Sequence, residues 1–169
     1  MVFNASAKTT NGTSLNDHLL AGPKLQNDVR EILNRFRLFP IVFVADICKM
    51  YRQILIRPED QTYQAILWRS NANDPVNTYL LQTVTYGVTS SPYLALRTLQ
   101  QLATDEKEKY PNAAEVLVRD SFVDDILVGC ETVAAACNLK HELINLLLAG
   151  GFELLLIALN CCQTYQQKI

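Results

Sequence analysis

The stretch Arg119-Asp120-Ser121-Phe122-Val123-Asp124-Asp125-Ile126-Leu127-Val128-Gly129 restricts the fold more than any other part of this chain. Two adjacent carboxylates, Asp124 and Asp125, sit between the β-prone runs Ser121-Phe122-Val123 and Ile126-Leu127-Val128. That pattern predicts a hairpin with its acids at the tight turn. Like charges side by side destabilise a fold unless a cation lies between them, and divalent metal ions commonly fill that place. A third acid, Asp46, ends another apolar run, Ile41-Val42-Phe43-Val44-Ala45. Three acids at strand ends can hold two Mg²⁺ ions roughly 3.5–4 Å apart, the spacing that serves in-line attack on phosphorus.

With 169 residues the chain is long enough for one domain with a core. Hydrophobic residues make up 49% and charged residues 19%, which excludes a disordered chain. The net charge of −2 excludes a uniformly basic nucleic-acid-binding surface. The charge is nonetheless divided: nine Lys/Arg against six Asp/Glu in residues 1–70, and six against eleven in residues 71–169. This division suits a phosphate-facing surface beside a metal site, although ordinary surface scatter gives the same counts. Five cysteines stand at 48, 130, 137, 161 and 162, an odd number with no Cys-x-x-Cys pair. They predict reduced thiols in an intracellular protein, cytoplasmic or nuclear, without a zinc site or a targeting signal. The most apolar stretch, 143–159, is interrupted by Asn145, Gly150, Gly151 and Glu153. A membrane span needs about 20 mostly apolar residues, so no membrane association is expected.

No internal repeat, low-complexity tract or linker divides the chain. Residues 1–22 are polar and turn-rich and are expected to be irregular. Leu25, Val29, Ile32, Leu33 and Phe36 recur at helical spacing and predict a helix over 23–38, with Pro23 in its first turn. The continuous apolar run 41–45 predicts a strand buried on both faces. Short strands are expected at 53–57 and 62–68 around the turn Pro58-Glu59-Asp60, and another at 77–85 after Asn73-Asp74-Pro75. Ser90-Ser91-Pro92 opens a helix, with Ser as its cap, that ends near Tyr110-Pro111. The acidic hairpin follows over 116–130, then a helix over 132–149 capped by Thr132 and stopped by Gly150-Gly151, then a strand over 152–157. The predicted class is α+β: an antiparallel sheet with helices packed on one face, in a split βαβ-like plan.

Ala45-Asp46-Ile47-Cys48-Lys49-Met50-Tyr51-Arg52-Gln53-Ile54 resembles the first palm motif of reverse transcriptases. Thr85-Tyr86-Gly87-Val88-Thr89-Ser90-Ser91-Pro92-Tyr93 resembles their second motif, and Phe122-Val123-Asp124-Asp125 their aromatic-x-Asp-Asp box. The flanking phrases Val2-Phe3-Asn4-Ala5-Ser6-Ala7-Lys8, Ser14-Leu15-Asn16-Asp17, Gly22-Pro23-Lys24-Leu25-Gln26 and Thr98-Leu99-Gln100-Gln101-Leu102-Ala103 are similar to the Pao/BEL class of long-terminal-repeat retrotransposons. The resemblance implies a polymerase palm with part of the fingers. Residues 1–40 and about 53–85 would be partial fingers, 41–52 and about 86–157 palm, and 158–169 a polar tail. It implies RNA-directed DNA synthesis from an RNA template, a DNA or tRNA-type primer and deoxynucleoside triphosphates. Two Mg²⁺ ions would serve as cofactors, with Mn²⁺ as a substitute. Asp46 and Asp124 would be metal ligands, with Asp125 a nearby carboxylate completing the catalytic set. Tyr51 would pack under the incoming sugar and exclude a ribose 2′-hydroxyl. Tyr86 and Gly87 would line the nucleotide pocket, and Ser91 and Pro92 would start the helix under the template strand.

Taken singly, each residue has a plainer reading. Asp-Asp at a turn is more often structural, because Asp favours turns. Asp46 alone reads as a strand-terminal cap, Tyr51 as a half-buried core aromatic, and Ser90-Ser91-Pro92 as a helix start. Lys49, Arg52 and Arg57 read equally as solvated surface charges, and Cys48, standing where the resemblance implies an acid, is assigned no chemical role. The chain also departs from the class pattern. The basic residues that would grip the triphosphate belong before Val2, Asn4 replaces an expected Asp, and Leu155-Leu156-Ile157-Ala158-Leu159-Asn160 replaces an expected basic, Trp-containing segment. Primer grip, thumb and RNase H parts of the polyprotein are expected elsewhere. Few basic residues remain to hold a duplex, so weak or no activity in isolation is expected. The alternative is a non-catalytic remnant that keeps the palm fold and binds nucleic acid or a protein. A two-metal nuclease accounts for neither Tyr51 nor the motif order.

Overall fold

Apolar residues alternate with more exposed ones along the two segments that carry the acids, and this period of two makes them strands. The computed structural model describes residues 3–160. In chain order its elements are α1 (Val29–Phe36), β1 (Ile41–Ile47), β2 (Ala65–Trp68), β3 (Asn77–Leu80), α2 (Ser91–Asp105), α3 (Pro111–Arg119), β4 (Ser121–Phe122), β5 (Asp125–Cys130), α4 (Val133–Ala149) and β6 (Leu154–Asn160). Short 3-10 turns lie at Leu15–His18, Met50–Gln53 and Pro58–Gln64. The chain divides into two units, Met1–Lys24 with Tyr51–Ala95, and Leu25–Met50 with Leu96–Ile169.

The second unit is built on a four-stranded sheet of order β4-β5-β1-β6 with antiparallel neighbours. β5, α4 and β6 form a βαβ unit whose two strands are split by β1, as the sequence predicts. Phe43, Ala45 and Ile47 of β1 and Ile126, Val128 and Cys130 of β5 turn one face into the core, against α3 and α4. Leu143, Leu146 and Leu147 of α4 are fully buried there. Each such side chain contributes about 1.5–3 kcal/mol of burial. Val42, Val44 and Asp46 lie on the other face and are only half-buried, so β1 is not covered on both sides as its apolar run predicts. Helices on one side of an antiparallel sheet leave the opposite face open.

Local signals set the helix ends. Thr132 caps α4, its hydroxyl accepting from the Ala135 N–H at 3.1 Å. At the other end Gly151 is left-handed, with φ +78°. The Phe152 and Gly151 N–H groups return to the Leu147 and Leu148 carbonyls, a Schellman stop. α1 starts at Val29 rather than at 23, because Asp28 caps it by accepting from the Arg30 N–H. The larger difference is α3. Pro111, which reads as the end of a long helix, instead opens a new one, a first-turn position that suits its missing N–H. Glu142 of α4 accepts from Asn112 and from the Ala113 N–H at that helix start. The acidic hairpin therefore has a first strand of only two residues. β6 runs on to Asn160, so residues 158–160 of the expected tail pair with β1. The rest of that tail, with Cys161 and Cys162, lies outside the described residues.

In the first unit β2 and β3 pair from Ala65↔Leu80 to Trp68↔Asn77. The longer strands expected at 53–57, 62–68 and 77–85 are curtailed. Pro58, Glu59 and Asp60 begin a helical turn, and Leu55 forms only an isolated bridge with Thr83. Among the described residues Cys48, Cys130 and Cys137 form no disulfide. Among the described residues no helix is long and apolar enough to cross a membrane.

The core assignment predicts that Leu146→Ala costs about 2–5 kcal/mol in urea unfolding. Leu148→Ala, on the exposed side of the same helix, should stay within about 0.5 kcal/mol.

Candidate functional site

β1 and β5 pair residue for residue from Ile41↔Cys130 to Asp46↔Asp125. The ladder therefore ends with two carboxylates directly opposite one another on the open face, beyond Val44 and Leu127. Side chains so placed have Cβ atoms about 4.5–5.5 Å apart. Asp124 lies in the two-residue turn between β4 and β5, and its carbonyl accepts from the Ile47 N–H at 2.8 Å. That bond ties the turn to the end of β1. All three predicted acids thus lie at one end of the β1–β5 ladder within the second unit.

The turn is strained. Val123, its first central residue, has φ +57°, while Asp124 is not left-handed. A positive φ at the first position alone is the pattern of a type II′ turn, where glycine is preferred. A β-branched residue there costs about 1–3 kcal/mol and persists only where its surroundings enforce it.

Electrostatics add to the tension. Burial, then the charges of Asp124 and Asp125, push the Asp46 carboxyl above the ordinary range. Burial, then Asp124, raises Asp125. Among the described residues none of the three is in an ion pair. The neighbouring buried Asp120 is paired instead: Arg35 and Arg119 hold its two oxygens at 2.9 and 2.8 Å. Among the described residues no three His, Cys, Asp or Glu converge as a ready metal cage. Mg²⁺ does not require one, since it keeps several waters and is usually held by one or two carboxylates plus substrate phosphates. The oxygen-only donors Asp46 and Asp124, with Asp125 in electrostatic reach of both, fit such an ion.

The other predicted residues belong to the first unit. Tyr51 and Tyr86 meet edge to face, with ring centroids 4.8 Å apart and planes at 64°. Gly87 has φ +86°, and a Cβ there would lie 2.6 Å from the Phe3 carbonyl oxygen, so only glycine fits. The buried Ser91 hydroxyl donates to the Thr85 carbonyl at 2.6 Å, while Ser90 takes the cap position, its carbonyl accepting from the Leu94 N–H. Pro92 follows in the first turn of α2 and is exposed.

Two side chains at these loops have no expected role from sequence. Gln26 donates to the Ser121 carbonyl at 3.3 Å and accepts from the Val123 N–H at 3.0 Å, holding the acidic turn. Asn16 likewise donates to the Gly87 carbonyl at 2.9 Å and accepts from the Thr89 N–H at 2.8 Å. Both sit in phrases that carry the resemblance, but those phrases give neither a role, because the partners are more than 70 residues away.

No protein-family model matches the chain. It is 33% identical over 112 residues to the Pol polyprotein of equine infectious anemia virus, isolate 1369, and equally to that of isolate CL22. The match covers 65% of this chain and 9% of each polyprotein. The chain is thus distantly similar to a retroviral Pol polyprotein, which supports a retroelement-derived domain. It spans about a tenth of the length of those relatives.

The raised carboxyls give a signed pH prediction. Their folded-state pKa values exceed the unfolded value, so the stability they contribute is fully present below the unfolded pKa of 3.8 and is lost as pH rises through the folded values. Asp46→Asn or Asp125→Asn should stabilise the protein at pH 7 by up to about 1 kcal/mol. The gain should vanish below about pH 3. Urea unfolding at both pH values checks this.

Proposed function

We propose that the chain is the palm, with partial fingers, of an RNA-directed DNA polymerase from a Pao/BEL-type retroelement. The observation that carries this reading is the meeting of Asp46 with Asp124 and Asp125 at one end of the β1–β5 ladder, each inside its own motif. The distant Pol similarity supports it. Residues 1–40 and about 53–85 would be partial fingers, and 41–52 and about 86–157 palm.

Two Mg²⁺ ions, or Mn²⁺ in their place, would activate a primer 3′-hydroxyl and neutralise the triphosphate when bound. Asp46 and Asp124 would hold them through carboxylate oxygens. Asp125, facing Asp46 across the strand pair, keeps the local charge negative and so raises cation affinity. In this reading Tyr51 lies beneath the sugar of the incoming deoxynucleotide and rejects a 2′-hydroxyl. Tyr86 and Gly87 line the same pocket, and Ser91 and Pro92 start the helix that supports the template. Primer grip, thumb and RNase H functions would come from other parts of a polyprotein.

A second reading is a non-catalytic remnant that binds nucleic acid or a protein. The excess of acidic residues in 71–169, which leaves few cations for a duplex backbone, favours it.

Primer extension on an RNA template, with Mg²⁺ and one labelled deoxynucleotide, separates the two. The polymerase reading predicts incorporation by the wild type and a loss of about 100-fold or more in Asp124→Ala. Tyr51→Ala should admit ribonucleotides relative to deoxynucleotides. No incorporation by folded wild-type protein would favour the remnant.

A further inference from the structure

We propose that Gln26 is a positioning residue whose carboxamide holds the Val123–Asp124 turn in the geometry that sets the acids of β5 against Asp46. Its consequence for cation binding rests on the polymerase reading; its hold on the turn does not.

β4 is the edge strand of the sheet and is two residues long. The closing pair of the hairpin is Phe122↔Asp125, so the Ser121 carbonyl and the Val123 N–H point away from β5. A further strand would bond to residues i and i+2 in just this way, and among the described residues no strand lies there. Gln26 takes its place from the irregular segment before α1, donating to Ser121 and accepting from Val123. A planar amide carries both functions in one group.

Its neighbours divide the remaining work. Asn27 donates to the Val118 and Arg119 carbonyls at the end of α3, at 2.7 and 3.3 Å. Arg35 donates to Asp120 and to the Arg119 carbonyl, at 2.9 and 2.8 Å. These two fix the junction between α3 and β4. Gln26 is left to act on the turn, where Val123 is held left-handed against its own steric preference. Released, Val123 would relax towards negative φ, and the two carboxylates that follow it, Asp124 and Asp125, would lose their register with Asp46.

The test is amide hydrogen exchange by NMR on the full chain, with Mn²⁺ titration of the same samples. The variants are Gln26→Ala, Gln26→Glu, and Gln26→Ala combined with Val123→Gly. Gln26→Ala should speed exchange at Val123 about tenfold and leave Ile126 and Val128 unchanged. Gln26→Glu keeps the acceptor and should retain protection at Val123. Mn²⁺ affinity should fall about fivefold in Gln26→Ala and recover with Val123→Gly, because glycine adopts the left-handed turn unaided. Unchanged exchange at Val123, or a loss of protection spread evenly through the core, would overturn the proposal. So would faster exchange at Val123 without any loss of Mn²⁺ affinity. If the wild type binds no Mn²⁺ at all, the polymerase reading fails, and exchange at Val123 alone decides whether Gln26 holds the turn.

Discussion

The register between β1 and β5 drives two like charges together at the end of an otherwise apolar ladder. Strand side chains alternate, so a slip of one residue would turn Phe43, Ala45 and Ile47 out of the core and Asp46 into it. The buried face therefore fixes the acidic one. Leu143, Leu146 and Leu147 press on that face, and their burial outweighs the repulsion that Asp46 and Asp125 would relieve by separating. Local instability held in place by a well-packed core is the usual condition of a site that binds something.

Strain and repulsion coincide at the turn. Val123 is left-handed, Asp124 accepts from Ile47 through its backbone, and Asp46 and Asp125 are harder to ionise than ordinary carboxyls. The same solution appears twice in the molecule: an amide side chain takes a carbonyl at one residue and an N–H two residues on. Gln26 does this for Ser121 and Val123, and Asn16 for Gly87 and Thr89. Each holds a loop that the motif pattern singles out, and Gln26 does so at a strand edge that no other strand covers among the described residues.

Features encoded locally were legible in the sequence. The acidic hairpin, the Thr132 cap and the Gly150-Gly151 stop each depend on residues within a few positions of one another. The split βαβ order followed from their sequence. α3 was not legible, because a proline after a helix marks a stop or a new start with equal ease. The open face of β1 was hidden for a different reason: a short apolar run does not reveal whether one or both faces are covered. Gln26, Asn16 and the Arg35–Asp120 pair act across 71 to 97 residues, and isolated polar side chains carry no periodicity that could announce this.

The central claim is that a divalent cation completes the opposed carboxylates. It is tested most directly by urea unfolding with and without Mg²⁺ at matched ionic strength, in the wild type and in Asp46→Asn. A ligand that binds only the folded state adds about 2.7 kcal/mol at 100 times its dissociation constant. The account predicts Mg²⁺-dependent stabilisation of the wild type that is largely lost in Asp46→Asn. Equal stabilisation of both proteins, or of neither, would contradict it.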